Sequence, residues 1–141
     1  MKTKITFEIS ELHDLIDILE SLTDKFTDEK SVSTINKIIK IASMSRDIFD
    51  EAFIEIQKLL FESTDGSPIN LNSNFRNDLG ISEEFIESPA GLVTILNRVL
   101  RSLLNTHKPN SKIIRIKLDA INEAGTIEDL ITLIVDNYEI S

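Results

Sequence analysis

Apolar residues recur every three or four positions along most of this chain, which is the spacing of amphipathic helices. In the first such segment Ser10 can cap a helix, and a polar break at residues 27–30 ends it. The apolar face of this first predicted helix consists of Leu12, Leu15, Ile16, Leu19 and Leu22.

Two further helical segments precede residue 63. The first has its apolar face at Ile35, Ile38, Ile39 and Ala42, and the pattern leaves open whether it continues through Ser45. The second begins at Asp47, and its predicted buried face consists of Phe49, Phe53, Ile56 and Leu60. Between residues 63 and 77 the period is lost, and Gly, Pro and Asn residues predict a loop, with or without a short turn.

Two more helices are predicted after this loop. Ser88 followed by Pro89 is typical of a helix start, because Ser caps free amides and Pro has no N–H to leave unbonded. Gly125 and Thr126 open the last helix, with Asp129 placed to return the capping bond. The predicted inward faces are Leu92, Leu96, Val99, Leu100 and Leu103, and then Ile127, Leu130, Ile131, Ile134 and Tyr138.

Two short segments instead alternate apolar and polar residues with the period of a strand. They are Ile5, Phe7 and Ile9, and Ile114, Ile116 and Leu118. Because an isolated strand cannot satisfy its backbone, we expect the two to pair. The predicted fold is therefore mainly α, a compact bundle of five to six helices, with or without one small two-stranded sheet formed by residues 4–9 and 112–118.

The length of 141 residues predicts a single domain over residues 1–141. Apolar residues make up 41% and charged residues 28%, a balance typical of globular proteins. The chain has no Cys, which excludes disulfides and thiolate sites and is compatible with a reducing compartment. There is no long apolar run of the kind a secretion signal or a membrane span of about 18 residues needs. We therefore expect a cytoplasmic protein without a membrane partner.

Charge is sorted along the chain. Residues 91–118 carry six Lys or Arg and no acid, while residues 119–141 carry six acids and no base, within a net charge of -9. The basic block is a candidate phosphate or nucleic-acid contact, but it contains no aromatic residue for stacking on single strands, and the net charge makes nucleic acid an unfavoured partner. Its residues are Arg98, Arg101, Lys108, Lys112, Arg115 and Lys117.

Acidic residues form three candidate surfaces for binding a basic protein, since a surface of one sign steers a partner of the other. The alternative for each is a solvated helix side that aids solubility. The surfaces are the stripe Asp47, Glu51, Glu55 and Glu62, the cluster Glu83, Glu84 and Glu87, and the first-helix group Asp17, Glu20 and Asp24.

The chain lacks a recognisable catalytic set. His13, Asp17 and Glu20 share a helix face, but such a group is more often a solvated surface than a metal site, and we expect no bound metal. His107 lies before Pro109 without a nucleophile at a motif spacing, and we interpret it as a loop residue. No Gly-rich phosphate motif is present. We therefore expect a non-enzymatic protein without a cofactor.

Phe75, Asp78, Leu79 and Gly80, together with the segment from Thr126 to Asn137, resemble the frame of acyl carrier proteins. The resemblance implies a Ser, five residues after the Asp, that carries phosphopantetheine. That position is Glu83 here. A carrier role therefore requires a shifted serine, and the candidates are Ser82 and Ser88.

The run Glu87, Ser88, Pro89, Ala90, Gly91, Leu92 and Val93 is similar to the entrance of the final helix in colicin-type nuclease immunity proteins. Those are small acidic helical proteins that neutralise a basic toxin. The paired Tyr residues of that family's binding helix have no counterpart, since Tyr138 is the one Tyr of this chain.

Charge and the lack of a catalytic set together favour an acidic protein-binding module, an immunity or inhibitor protein that neutralises a basic partner such as a toxin or nuclease. Two alternatives stay open. One is an acyl-carrier-like protein. The other is a self-associating structural or adaptor protein, in which the basic segment packs beside acidic helices of a second copy in a homodimer.

Overall fold

The computed structural model describes residues 7–61 and 68–141. Within these ranges the chain forms six α-helices and no β-strand, which confirms the predicted mainly α fold. None of these helices has the length and apolar character needed to cross a membrane. The helices are α1 (Ile9–Thr23), α2 (Glu29–Leu60), α3 (Glu83–Glu87), α4 (Leu92–His107), α5 (Leu118–Glu123) and α6 (Ile127–Ile140).

Packing divides the chain into two compact units, one ending at Asp47 and the other beginning at Ile48. We call them the N-terminal unit and the C-terminal unit. The two helices predicted between residues 35 and 60 are one continuous helix, α2, which passes through Ser45 and contributes to both units. No Gly or Pro interrupts residues 29–60, so nothing in the sequence ends the helix there.

In the N-terminal unit, α1 begins at Ile9, so the predicted cap at Ser10 is wrong by two residues: Glu8 is the N-cap. The Glu11 Oε1 atom accepts a hydrogen bond from the Glu8 N–H at 3.0 Å and satisfies one of the free amides at this end. Ile16 is buried, and the other residues of the predicted apolar face are half-buried. The polar break is confirmed between α1 and α2, although Glu29 already begins α2.

In the C-terminal unit the last part of α2 is buried at Ala52, Ile56 and Leu60, and α4 and α6 bury their inner faces. Contacts between α4 and α6 are the most extensive of those between helices. Of the predicted inward faces, Phe53 and Tyr138 are only half-buried, whereas the other members in this unit are buried. The buried side chains of α4 and α6 include Leu92, Leu96, Val99, Leu100, Leu103, Ile127, Leu130, Ile131 and Ile134.

The predicted start of α6 is confirmed. The Thr126 Oγ1 atom accepts from the Asp129 N–H at 3.2 Å, and the Asp129 carboxylate accepts from the N–H groups of Gly125 at 2.9 Å and Thr126 at 3.0 Å. These two backbone donors lower the pKa of Asp129 from its ordinary value of 3.8, and the Gly125 N–H has the larger effect. The ionised carboxylate therefore stabilises this end of α6.

The predicted start of α4 at Ser88 is wrong. Gly91 is the N-cap and Leu92 the first helical residue. The Ser88 hydroxyl instead donates to the Phe85 carbonyl at 3.2 Å, and the Gly91 N–H donates to the Ser88 carbonyl at 2.9 Å, which makes a turn between α3 and α4. A Cβ atom at Gly91 would lie 1.6 Å from the Phe85 carbonyl oxygen, so this turn requires glycine.

The predicted two-stranded sheet is also wrong for the part of it that the structure describes. Residues 4–6 lie outside the described ranges, and residues 7–8 are not in a strand. Ile9 already belongs to α1. Residues 112–117 pair with no strand, and Leu118 begins α5.

Side chains from α4 and from the region of α6 satisfy the backbone of this second segment in place of a strand. The Asn97 amide accepts from the Ile116 N–H at 2.8 Å and donates to the Ile116 carbonyl at 3.0 Å. The Asn137 amide donates to the Ile114 carbonyl at 2.8 Å, and the Ser141 Oγ atom accepts from the Ile114 N–H at 3.0 Å. The segment belongs to no sheet, and the predicted common face of Ile114, Ile116 and Leu118 is not buried as a whole: Ile116 is buried, Leu118 is half-buried and Ile114 is exposed.

The irregular segment before α3 is organised by Asn74. Its Oδ1 atom accepts from the N–H groups of Arg76 at 3.0 Å and Asn77 at 2.9 Å, while its own N–H donates to Asp78 at 2.8 Å. This loop was predicted to end near Asn77, but it continues to α3, and residues 63–67 of the predicted loop lie outside the described ranges.

Candidate partner-binding surfaces

The acidic residues predicted on the first helix are exposed. Asp17, Glu20 and Asp24 have no hydrogen bond or ion pair from their side chains within the described residues. His13 is exposed as well, and nowhere in residues 7–61 and 68–141 do three His, Asp or Glu side chains come together as a metal site. The carboxylates of this surface are therefore solvated, and no neighbouring side chain of the described residues holds them in place.

The predicted stripe along α2 is partly neutralised by neighbouring cations. Asp47, in the N-terminal unit, lies 3.6 Å from the Arg46 guanidinium. Glu55, in the C-terminal unit, lies 3.5 Å from the Lys58 ammonium one turn later. Glu62 lies outside the described residues. Because surface pairs of this kind contribute about 0–1 kcal/mol, they hold the carboxylates weakly but reduce the charge available to a partner.

Glu51 belongs to a four-residue cluster in the C-terminal unit. His107, interpreted above as a loop residue, is the last residue of α4, and its Nε2 atom lies 2.8 Å from the Glu51 carboxylate. The neighbouring Lys108 donates to the Tyr138 carbonyl at 2.9 Å, and its ammonium lies 4.4 Å from the centre of the Tyr138 ring. Partial burial raises the pKa of the Tyr138 hydroxyl, and the nearby Glu51 charge raises it further by a smaller amount.

The cluster at α3 is the acidic surface with the most defined geometry. Ser82 caps the helix by accepting from the Phe85 N–H at 3.2 Å, and Ile86 is completely buried. Glu84 and Glu87 are exposed and have no ion pair within the described part of the chain. The two carboxylates are one turn apart on a helix that is anchored by its own core residue.

Arg76 ties this cluster to the rest of the C-terminal unit. Its Nε atom lies 2.8 Å from the Glu83 carboxylate, and its Nη1 atom donates to the Ala124 carbonyl at 2.8 Å. The guanidinium also lies 4.5 Å from the centre of the buried Phe75 ring. Sequence reasoning missed Arg76, because its partners are 7 and 48 residues away and no local pattern joins them.

The two serines proposed for a carrier role differ in accessibility. Ser82 is exposed at the start of α3, whereas Ser88 is half-buried and donates to the Phe85 carbonyl. The two parts of the carrier-like frame begin close together, since the Phe75 N–H donates at 3.1 Å to the carbonyl of Gly125, the residue before Thr126.

The basic block is more exposed than the acidic stripe of α2. Lys108 is bound to Tyr138, but the remaining cations are exposed and make no ion pair within the described ranges. A hydrogen bond from the Asn97 amide to the Ile116 carbonyl joins the two parts of the block. Asn97 directly precedes Arg98 on α4, and Ile116 lies between Arg115 and Lys117. The exposed cations are Arg98, Arg101, Lys112, Arg115 and Lys117.

Comparison with known proteins does not identify a relative. No protein-family model matches the chain. Searches of curated proteins and of solved structures also give no match. Its function is therefore inferred from the residues and geometry of this chain.

Proposed function

We propose that this protein binds a basic protein partner through the acidic surface of α3, and that it acts without catalysis as an immunity or inhibitor protein. The observation that carries the proposal is the pair Glu84 and Glu87. Both carboxylates are exposed and free of ion pairs within the described residues, on a helix whose Ile86 is completely buried.

Preorganisation supports this choice over the stripe of α2. The cap at Ser82, the burial of Ile86 and the bond between Arg76 and Glu83 hold α3 in place before any partner arrives. A surface that is already ordered loses less conformational entropy on binding, so more of its interaction energy appears as affinity. The carboxylates of the stripe, by contrast, have cations of their own chain beside them.

Net charge supports a partner of the opposite sign. With 24 acidic and 15 basic residues, the chain attracts a basic protein at long range and repels nucleic acid. Such steering raises the association rate at low salt and weakens as salt screens it. The segment from Glu87 to Val93, which resembles nuclease immunity proteins, begins at this surface. The proposal includes a cytoplasmic location, with which a chain lacking Cys is compatible.

The proposal is tested by using the protein as bait in an extract of its native host, at low and at high salt. The expected result is a basic protein that is retained at low salt and released by high salt. The bait Glu84→Lys/Glu87→Lys should lose that protein. A control bait, Glu123→Lys/Glu139→Lys, changes the net charge by the same amount at two exposed positions on α5 and α6 and should retain it.

A third bait separates α3 from the stripe of α2. Because Glu51 and Glu55 already have His107 and Lys58 as partners, Glu51→Lys/Glu55→Lys should affect recovery less than the change at α3. Equal recovery on the wild-type bait and the α3 variant would remove α3 from the proposal.

A second candidate function is that of a carrier, and the exposure of Ser82 at the start of α3 is the observation that favours it. In this reading the Ser82 hydroxyl would attack the pyrophosphate of coenzyme A, forming a phosphodiester to the phosphopantetheine arm and releasing 3′,5′-adenosine bisphosphate. Incubation with a phosphopantetheinyl transferase and coenzyme A, followed by mass spectrometry of wild type, Ser82→Ala and Ser88→Ala, tests it. An unmodified wild-type mass would contradict the carrier function.

A further inference from the structure

The N-terminal unit leaves much of its apolar surface in solvent. Among its described large apolar residues six are exposed, whereas its buried apolar residues are only Ile16 and Ala42. Apolar side chains grouped on a surface mark interfaces more often than chance exposure does. The exposed ones are Phe7, Ile18, Phe26, Ile38, Ile41 and Met44.

Three of these residues lie close together on α2. Ile38, Ile41 and Met44 are 41%, 56% and 60% exposed, and they follow one another at a spacing of three residues. Lys37 shares a face with Ile41 and Met44 by the i, i+4, i+7 rule, and Lys40 lies one turn before Met44. Both lysines are exposed and lack a carboxylate partner in the described chain. We call these five residues the basic apolar face.

The exposed side of α1 has the opposite charge around its own apolar residue. Ile18 is 55% exposed, Asp14 lies one turn before it, and Asp17 is its neighbour in sequence. Both carboxylates are exposed and have no cation partner within residues 7–61 and 68–141. We call these three residues the acidic apolar face. Glu20 and Asp24 lie to one side of it and stay available.

The complementarity of these two faces points to what covers them. We propose that this protein forms a homodimer in which the acidic apolar face of each copy packs on the basic apolar face of the other. An isologous pair of this kind uses both faces of both copies, so that no exposed face is left to extend the assembly. Apolar residues in the centre and opposite charges around them are the usual anatomy of such interfaces.

The small size of the N-terminal unit is consistent with this arrangement. A helical pair of about 40 residues cannot bury enough apolar surface by itself, and oligomerisation is one of the common solutions. The dimer is independent of the function proposed at α3, because its residues belong to the N-terminal unit and Glu84 and Glu87 belong to the C-terminal unit.

Analytical ultracentrifugation of the whole protein tests the dimer. The wild type should sediment with twice the 15.9 kDa monomer mass at micromolar concentration. Lys37→Glu/Lys40→Glu should weaken dimerisation by about tenfold or more, and so should Asp14→Lys/Asp17→Lys. Lys112→Glu/Lys117→Glu, which matches the first variant in charge at exposed positions of the C-terminal unit, should remain dimeric. Circular dichroism should show that each variant keeps its helix content.

Mixing the two interface variants gives the sharpest outcome. In the Lys37→Glu/Lys40→Glu variant the reversed face is acidic, so it repels the unchanged acidic apolar face of a second copy of the same variant. It complements the face of the other variant that Asp14→Lys/Asp17→Lys has made basic. An equimolar mixture should therefore recover a heterodimer, although each variant alone is monomeric. A monomeric wild type would overturn the proposal and leave the face to a different protein, and dimers that persist in both variants would overturn it by excluding these faces.

Discussion

Replacing Asn97 should lower the stability of the C-terminal unit more than replacing any other Asn or Gln of the described chain. Asn97 is 5% exposed and Ile116 is 3% exposed, and the amide provides partners for both the N–H and the carbonyl of Ile116. An Asn97→Leu side chain has a similar size but offers neither bond. Leaving a buried backbone group without a partner costs about 1–3 kcal/mol, so two such groups predict a loss of about 2–6 kcal/mol in the free energy of unfolding.

Urea denaturation followed by circular dichroism measures this loss. With a slope of about 2 kcal/mol per molar urea, the midpoint should fall by about 1–3 M. Asn137→Leu is the matched control: it removes one bond to Ile114, which is 44% exposed, so water replaces the lost partner and the cost should stay below about 1 kcal/mol. If Asn97→Leu were no more costly than Asn137→Leu, the explanation of the extended segment by side-chain amides would be wrong.

Three further changes follow from the geometry. Asp129→Asn should reduce stability at neutral pH, and because folding lowers the pKa of Asp129 below 3.8, the difference from wild type should shrink in urea titrations as the pH falls through and below that value. Gly91→Ala would place its Cβ 1.6 Å from the Phe85 carbonyl oxygen, so the thermal midpoint should fall by roughly 5 °C or more. Glu51→Gln should lower the raised pKa of Tyr138 but leave the part due to burial, and phenolate absorbance reports this cleanly because the chain has one Tyr and no Trp.

The longer helices were predictable here because their signals are local, whereas the short helices α3 and α5 were not predicted. The two residues of the capping box, Thr126 and Asp129, are only three positions apart, and the inward face of α4 repeats within one helix. The strand prediction failed for the opposite reason. Alternation at Ile114 and Ile116 predicted a strand with one buried face, but Ile114 is exposed. The pattern does not reveal that the amide of Asn97, 19 residues away, satisfies the backbone of Ile116.

The start of α4 shows the same limit at shorter range. Ser88 and Pro89 favour a helix start by their own chemistry, but the close approach of Gly91 to the Phe85 carbonyl makes the chain turn first. Nothing in the pattern of the sequence reports that contact.

For the candidate surfaces, exposure was predictable and pairing was not. Charge alone places Glu84 and Glu87 at the surface, although no helix was predicted there, and helical spacing places Glu51 in an acidic stripe. Only the fold shows that His107, 56 residues away, lies beside Glu51, while α3 keeps two carboxylates without such a partner. The distinction between the surfaces therefore comes from tertiary contacts.

The most direct test of a partner-binding α3 is quantitative recovery of the salt-released basic protein on three baits. The account predicts full recovery on wild type, a loss of roughly tenfold on Glu84→Lys/Glu87→Lys, and near wild-type recovery on Glu123→Lys/Glu139→Lys. Equal losses on both variants would show that net charge alone attracts the partner. Equal recovery on all three baits, or no basic protein on the wild-type bait, would contradict the proposed function.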